Sequence, residues 1–470
     1  MTDLEVEGAE GADRGPQEPA YTVLDPSTGK PLAEVAMAGQ AEVDTAVARA
    51  LRAFPAWREV APGDRARLLR RFAARVDEEI EELARIEVAN AGHTIGNARW
   101  EAGNVRDLLD YYAGAPERLC GRQIPVAGGI DVTFREPLGV VAVIAPWNFP
   151  MPIAAWGVAP ALAAGNTVIL KPAEYTPLTA LRLAELAREA GLPPHVFQVL
   201  PGRGPVAGQR LVEHPDVAKL VFTGSTAVGR RIAAQGGQRL VPVTLELGGK
   251  SANIVFADAD LEKAAAAAPY AVFDNAGQDC CARSRILVQR SVYDRFLELF
   301  EPAVAAVKVG DPGLPETEMG PLISATQRDR VAAFLTEDVP IAFRGSAPDG
   351  PGFWFPPTVV APGDPDSPVC TQEVFGPVVA VLPFEDEADA IRLADATRYG
   401  LSGSVWTRDV GRALRVARAV QSGALSVNSN SSVRYWTPFG GYKDSGLGRE
   451  LGPDALEAFT QTKNVFIAAD

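Results

Sequence analysis

Histidine is scarce in this chain: three residues, His93, His195 and His214, stand among 470. Each lies beside a glycine or proline and has no partner at metal-ligand spacing. That argues against a metal centre and against histidine-driven nucleophilic catalysis, both of which need closely placed partners. Cysteine is nearly as rare. Cys120, Cys280, Cys281 and Cys370 show no C-x-x-C spacing, which excludes a disulfide framework and a zinc site and points to reduced thiols. Basic residues are outnumbered, 45 Lys and Arg against 59 Asp and Glu, and the formal net charge of −14 speaks against a nucleic-acid surface. No apolar run is long enough to span a bilayer, and the N-terminus shows no basic-then-apolar signal pattern. The expectation is a soluble, cytoplasmic protein with no membrane and no nucleic-acid partner.

With 47% hydrophobic residues the chain can bury a large core, and its length suits two or more domains. Residues 1–18 are acidic, rich in glycine and without apolar periodicity, so a disordered lead-in is expected there. Apolar residues then recur at helical spacing from Val43 to Phe54 and again, in one longer pattern, from Leu68 to Ile86. A third helix is expected from about Trp100 to Arg118. Residues 122–136 alternate around Gly128-Gly129, a hairpin signal. From 139 to 246, short apolar runs alternate with Ala- and Leu-rich helical stretches, the mark of a parallel, doubly wound α/β sheet. Such sheets bind ligands beyond the C-terminal ends of their strands, and here those ends carry polar or glycine-rich caps. A second α/β set follows, and residues 458–468 alternate as a terminal strand.

One run carries the chemistry: Asn275-Ala276-Gly277-Gln278-Asp279-Cys280-Cys281, a thiol behind a polar turn and ahead of a strand-like segment. On this run alone Cys280 reads equally as a nucleophile or as a small packed side chain. The strand-end caps bear on the choice. Pro146-Trp147-Asn148-Phe149-Pro150, Lys171-Pro172-Ala173-Glu174, Phe222-Thr223-Gly224-Ser225, Leu245-Glu246-Leu247-Gly248-Gly249-Lys250, Gly277-Gln278-Asp279-Cys280, Glu373-Val374-Phe375-Gly376-Pro377 and 438–446 follow one another in the order found in the aldehyde dehydrogenase superfamily, which the chain resembles from about residue 20 to 468.

The resemblance implies oxidation of an aldehyde to a carboxylic acid with NAD, NADP being possible. It implies a Rossmann-type cofactor domain (19–117 and 137–248), an α/β catalytic domain (249–445) and a small β oligomerisation element (118–136 and 446–470), assembled as a homodimer or homotetramer. Cys280 matches the nucleophile, Asn148 the oxyanion donor and Glu246 the general base that activates water against the thioester. Lys171 and Glu174 match positions that hold the adenosine ribose, where a carboxylate disfavours a 2′-phosphate. Trp147 and Ser225 match positions beside the pyrophosphate, Glu373 the nicotinamide ribose and Phe375 the nicotinamide. Phe149, Trp156 and Phe439 are placed around the aldehyde tunnel. The Gly202-Arg203-Gly204-Pro205-Val206-Ala207-Gly208 run mimics a dinucleotide fingerprint, but Pro205 removes a donor and no phosphate is expected there.

Asp279 bears on the substrate. A carboxylate beside the nucleophile repels acidic semialdehydes and attracts cations, and the Gly-Gln-Asp-Cys run resembles that of aminobutyraldehyde dehydrogenases. An ω-aminoaldehyde is the expected substrate, with a broad aliphatic or aromatic aldehyde as the alternative. A non-catalytic NAD-binding protein is the remote one. Cys281 reads as a small side chain beneath the site.

Overall fold

The computed structural model describes residues 18–431 and 433–469. The expected lead-in at 1–18 falls almost wholly outside them.

Two sheets of mainly parallel strands organise the chain. In the first, the strands run Gly446–Leu447, Val243–Glu246, Val217–Thr223, Val140–Ile144, Thr167–Lys171 and Phe197–Val199 across the sheet, all parallel except the first. The chain starts in the middle at Val140–Ile144, winds outward one way, then returns to wind the other way. The order therefore reverses between Val140–Ile144 and Val217–Thr223, the switch point where such sheets leave a crevice. Val140–Ile144 and Thr167–Lys171 are buried along their whole length, because helices cover both faces. Pro150–Ala164 is one of these helices, and every residue in it is buried. The second sheet has seven strands, with Ala252–Val255, Arg285–Gln289 and Val378–Phe384 near its centre, and its own apolar core.

The long apolar pattern at 68–86 forms two helices, Pro62–Glu78 and Ile80–Ala91, broken at Glu79, where the backbone leaves the helical region. The third helix runs Ile95–Ala113, earlier than the sequence pattern suggests, and gives way to a short turn at Pro116–Arg118. The Gly204–Gly208 fingerprint mimic is a single wide helical turn.

Gln123–Ile124 and Gly129–Pro137 pair antiparallel, and Thr460–Ala468 pairs with the second of them over nine residues. Hairpin and terminal strand thus make one outlying three-stranded sheet. The preceding part of the 446–470 segment lies elsewhere: Gly446–Leu447 edges the first sheet, and Leu456 and Phe459 belong to the first core. No helix among the described residues is long and apolar enough to cross a membrane. All four cysteines are free.

Candidate active site

Cys280 stands in the loop between the helix Leu261–Phe273 and the strand Arg285–Gln289. The approach to it is left-handed: Asn275 and Ala276 have φ of 50° and 54°. Non-glycine residues hold such angles only where their surroundings over-determine them, and such sites are often functional. Hydrogen bonds do that here. Asn275 Nδ2 donates to the backbone carbonyl of Asn148 at 2.6 Å and to that of Gln278 at 3.3 Å. Asn148 Nδ2 donates to the same Gln278 carbonyl at 2.9 Å. Gln278 donates back to the Asn275 carbonyl and accepts the Ile323 N–H through Oε1. Asn148, just beyond the end of Val140–Ile144, is thereby tied to the Cys280 loop by one amide hydrogen, and its second hydrogen remains for another acceptor. The Cys280 N–H meets no acceptor among the described residues. Two donors near one thiol are what a developing oxyanion needs.

Glu246 ends the strand Val243–Glu246 and is 2% exposed, and neither carboxylate oxygen has a hydrogen-bond partner among the described residues. Burial first, then the nearby Glu450 and Cys281, raise its pKa well above the ordinary carboxylate range. The Cys280 thiol is also pushed up, by hydrogen bonding with Cys281, by burial, and by the charges of Cys281, Asp279 and Glu373. Both shifts favour the protonated forms of Cys280 and Glu246. Next to them, Gly249 allows a contact that no other residue would: a Cβ there would lie 2.3 Å from the Cys280 carbonyl oxygen. The Gly249 N–H donates to Glu373 Oε1 at 3.0 Å. Burial pushes Glu373 up to about 7, against the pull of that N–H and of Lys250.

Two cavities meet at Cys280. One, of about 340 Å³, lies at the switch point of the first sheet and is lined by Trp147, Asn148, Ser225, Glu246, Glu373 and Phe375, among others. Trp147 and Phe375 stand edge to face across 5.3 Å. Phe375 is itself held at φ 57°, with its carbonyl accepting from Gln327 Nε2 at 2.8 Å. Ser225 opens the helix Thr226–Arg239, and its side chain makes no capping bond. The other cavity, of about 660 Å³, is lined by Phe149, Pro152, Ile153 and Trp156 on its apolar side and by Glu101, Asp274 and Asp279 on its acidic side. Lys263 and Arg283 are its basic members. Asp279 accepts the Cys281 N–H through Oδ1 at 2.9 Å, which holds its carboxylate beside the Cys280-Cys281 pair. Burial raises its pKa, against the pull of that N–H and of Arg283.

Of the sequence-derived candidates, Cys280, Asn148, Glu246, Trp147, Ser225, Glu373 and Phe375 converge on the smaller cavity, and Phe149, Trp156 and Asp279 join Cys280 on the larger. Phe439 does not reach the wall. It is 1% exposed and packs behind Trp156, with ring centres 5.2 Å apart, so it supports the tunnel from the core. Lys171 and Glu174 lie one strand further along the sheet edge, 3.9 Å apart and outside that cavity's lining. Lys171 Nζ is buried and bonded to the carbonyls of Pro172 and Gly202. The sequence reading missed Gln327 and Arg330 on the smaller cavity and Asn97, Trp100, Glu101, Tyr270 and Asp274 on the larger. It also missed the partners of His93: Glu87 and Glu101 reach it from the helices on either side, at separations that no short motif shows.

Comparison with known proteins places this geometry. The sequence profile described as the aldehyde dehydrogenase family matches residues 14–465. The chain is 42% identical over 467 residues to an aldehyde dehydrogenase of Aspergillus niger, covering 98% of this chain and 93% of that protein. It is 42% identical over 452 residues to a betaine aldehyde dehydrogenase of Cereibacter sphaeroides, covering 95% and 93%. Among solved structures, PnpE from Pseudomonas sp. WBC-3 in complex with nicotinamide adenine dinucleotide superposes with a TM-score of 0.93 at 43% identity, covering 96% of this chain and 94% of that one.

Proposed function

Because the chain belongs to the aldehyde dehydrogenase family, and is therefore an oxidoreductase acting on aldehydes, we propose that it oxidises an amine-bearing aldehyde to the carboxylic acid through Cys280. The observation that carries this reading is the placement of Cys280 on both cavities, so that one residue borders an acidic chamber and a crevice suited to a dinucleotide. The crevice lies at the switch point, with a helix N-terminus at Ser225 and an aromatic pair at Trp147 and Phe375, features that suit phosphate and a flat ring. Trp147, Ser225, Glu373 and Phe375 would hold NAD there, with Lys171 and Glu174 further out toward its adenosine. NAD, when bound, accepts the hydride.

The residues of the chain do the rest. The Cys280 thiol gives up its proton to water, Sγ attacks the carbonyl carbon, and the second Asn148 amide hydrogen and the Cys280 N–H receive the oxyanion. Loss of hydride leaves a thioester on Cys280. Glu246 takes a proton from water, which attacks the thioester and releases the acid. An unpartnered carboxylate of raised pKa is a fit base for that step.

The acidic side of the larger cavity favours a cationic tail. Glu101, Asp274 and Asp279 face it, and Trp100 and Tyr270, both exposed, stand in its lining as aromatic faces for an ammonium group. The relative named for betaine aldehyde supports the same direction. The apolar side, Phe149 to Trp156, admits uncharged aldehydes as well, which is the second reading. The test compares kcat/KM for 4-aminobutyraldehyde with that for an uncharged aldehyde of equal length, before and after Asp279→Asn. The aminoaldehyde reading expects the charged substrate to be preferred and the preference to fall about tenfold in the variant, the range of one partly desolvated charge contact. Equal rates that the substitution leaves unchanged would return the enzyme to a broad aldehyde specificity.

The outlying three-stranded sheet exposes Ile124, Ile130, Phe134, Phe466 and Ile467. Such a row supports a subunit contact, and we read the enzyme as a homodimer or homotetramer. Its free thiols suit the cytoplasm.

A further inference from the structure

Cys281 stands next to Cys280 and takes no part in the steps above. Consecutive side chains on a strand point to opposite faces, but here the chain turns. The Ala282 N–H donates to the Asp279 carbonyl at 3.0 Å, which puts Cys280 and Cys281 at the two central positions of a tight turn. The Cys281 N–H donates to Asp279 Oδ1 at 2.9 Å and folds that carboxylate back over the turn. The Cys280 carbonyl lies against Gly249. As a result the two Sγ atoms and a carboxylate oxygen of Asp279 all lie within 4.8 Å of one another. All three residues also border the larger cavity, of about 660 Å³.

Two sulfurs and one carboxylate oxygen on a cavity wall are a donor set for a thiophilic divalent cation, not for Mg²⁺ or Ca²⁺, which take oxygen ligands. Around a tetrahedral zinc ion, with Zn–S about 2.3 Å and Zn–O about 2.0–2.2 Å, neighbouring donors stand about 3.3–3.8 Å apart. The trio is within about an ångström of that spacing. Three protein donors and a water from the cavity make four, the pattern of an open zinc site. The absence of C-x-x-C spacing speaks only against closed centres, and a turn that brings adjacent cysteines together escapes that rule. Charge favours entry of a cation: in the cavity lining, Glu101, Asp274 and Asp279 outnumber Lys263 and Arg283. The Arg283 guanidinium donates to the carbonyls of Cys281 and Asn430.

We propose that Asp279, Cys280 and Cys281 form a reversible inhibitory site for Zn²⁺ or a similarly thiophilic divalent cation. Binding forms two metal–sulfur bonds and one metal–oxygen bond, the two thiol protons pass to water, and no electron is transferred. The inhibition rests on the reading of Cys280 as the nucleophile: a sulfur held by the metal is withheld from the carbonyl carbon. Cys281 supplies the second thiolate, without which Cys280 and Asp279 would hold the ion far more weakly.

The experiment uses the full chain, stripped of metal with EDTA, desalted and kept reduced with a phosphine. Turnover of propanal with saturating NAD is followed against buffered free Zn²⁺. Co²⁺ is bound to the same proteins as a probe, since each thiolate on cobalt adds to a charge-transfer band in the near ultraviolet. The wild type should bind one metal ion per chain, lose turnover, and regain it when EDTA is added. Cys281→Ser should turn over within a few-fold of wild type and need about 10²-fold more Zn²⁺ for half inhibition, the upper end of the loss seen when a residue that merely supports a ligand is removed. Its cobalt band should fall to about half, one thiolate of two, and Cys281→Ala should behave alike. Equal Zn²⁺ sensitivity in the wild type and both Cys281 variants, a cobalt band that the variants leave unchanged, or inhibition that EDTA does not reverse overturns the proposal. Cys280→Ser separates the two readings. If it is inactive while the Cys281 variants are as Zn²⁺-sensitive as wild type, only the metal site fails. If it keeps wild-type turnover, the nucleophile reading fails and the inhibitory role goes with it.

Discussion

Replacing Glu246 by glutamine should separate the two halves of the reaction. The amide matches the carboxylate in size, and since neither Glu246 oxygen has a hydrogen-bond partner among the described residues, no existing donor loses its acceptor. The fold should be untouched. What is lost is a base: general-base assistance is typically worth about 10²–10⁴ in rate, or roughly 3–5 kcal/mol of barrier. If Glu246 serves only the hydrolysis of the thioester, the first turnover proceeds and the second waits. Rapid mixing of Glu246→Gln with aldehyde and NAD should then give a burst of NADH approaching one per active site, followed by a steady rate lowered by about 10²–10⁴. The wild type should show a smaller burst or none. Two results would refute the assignment. A steady rate within a few-fold of wild type removes Glu246 from the chemistry. A first turnover slowed as much as the steady state places its action earlier, at the Cys280 thiol, whose raised pKa also calls for a base.

Two other substitutions test the surroundings of the site. Gly249→Ala would set a Cβ 2.3 Å from the Cys280 carbonyl oxygen, and since that neighbour is backbone, the nucleophile loop must move; kcat should fall by about 10²-fold, the cost of misplacing a reacting group, and wild-type turnover in the purified variant would show that the contact is not needed. Glu87 is pushed up to about 8, mainly by burial and by Glu101. Because its folded pKa lies above the unfolded one, its contribution to stability is complete below about 4.5 and is lost as pH rises to about 8. Glu87→Gln should flatten the fall in unfolding free energy across pH 5–8 by about 1.4 kcal/mol per pH unit, measured by chemical denaturation, and parallel curves for variant and wild type would contradict it.

How far the sequence disclosed this molecule depended on the local pattern at each element. The strands of the first sheet were legible because strands buried on both faces appear as short unbroken apolar runs, and their polar caps then point to the crevice. Asn148 and Glu246 lie on such caps, Cys280 in the polar turn ahead of a second-sheet strand, and the structure gathers them. The break at Glu79 was not legible, since apolar spacing continues through it while only the backbone angles change. Phe439 was legible as an aromatic but not by depth: sequence spacing cannot tell a wall from the layer behind it. Glu101 and Asp274 were hidden for another reason. On a helix face or in a turn a carboxylate ordinarily meets water, and only tertiary packing turns these two into the walls of a cavity.

The contrast between acids shows which of them serve structure. Asp258 accepts from Thr407, from the backbone N–H groups of Arg408 and Asp409, and from Arg412, and its pKa is lowered. That is how a carboxylate is used when only the fold requires it, because every lone pair that meets a donor lowers the cost of burial. Glu246 has the opposite surroundings, buried with both oxygens bare, and Glu101 has one oxygen bare. Pairing Glu246 with an arginine would stabilise the protein and spoil the base, since a salt-bridged carboxylate holds a proton weakly at neutral pH. The fold instead carries the cost of an unsatisfied acid in the cavity that Cys280 also lines.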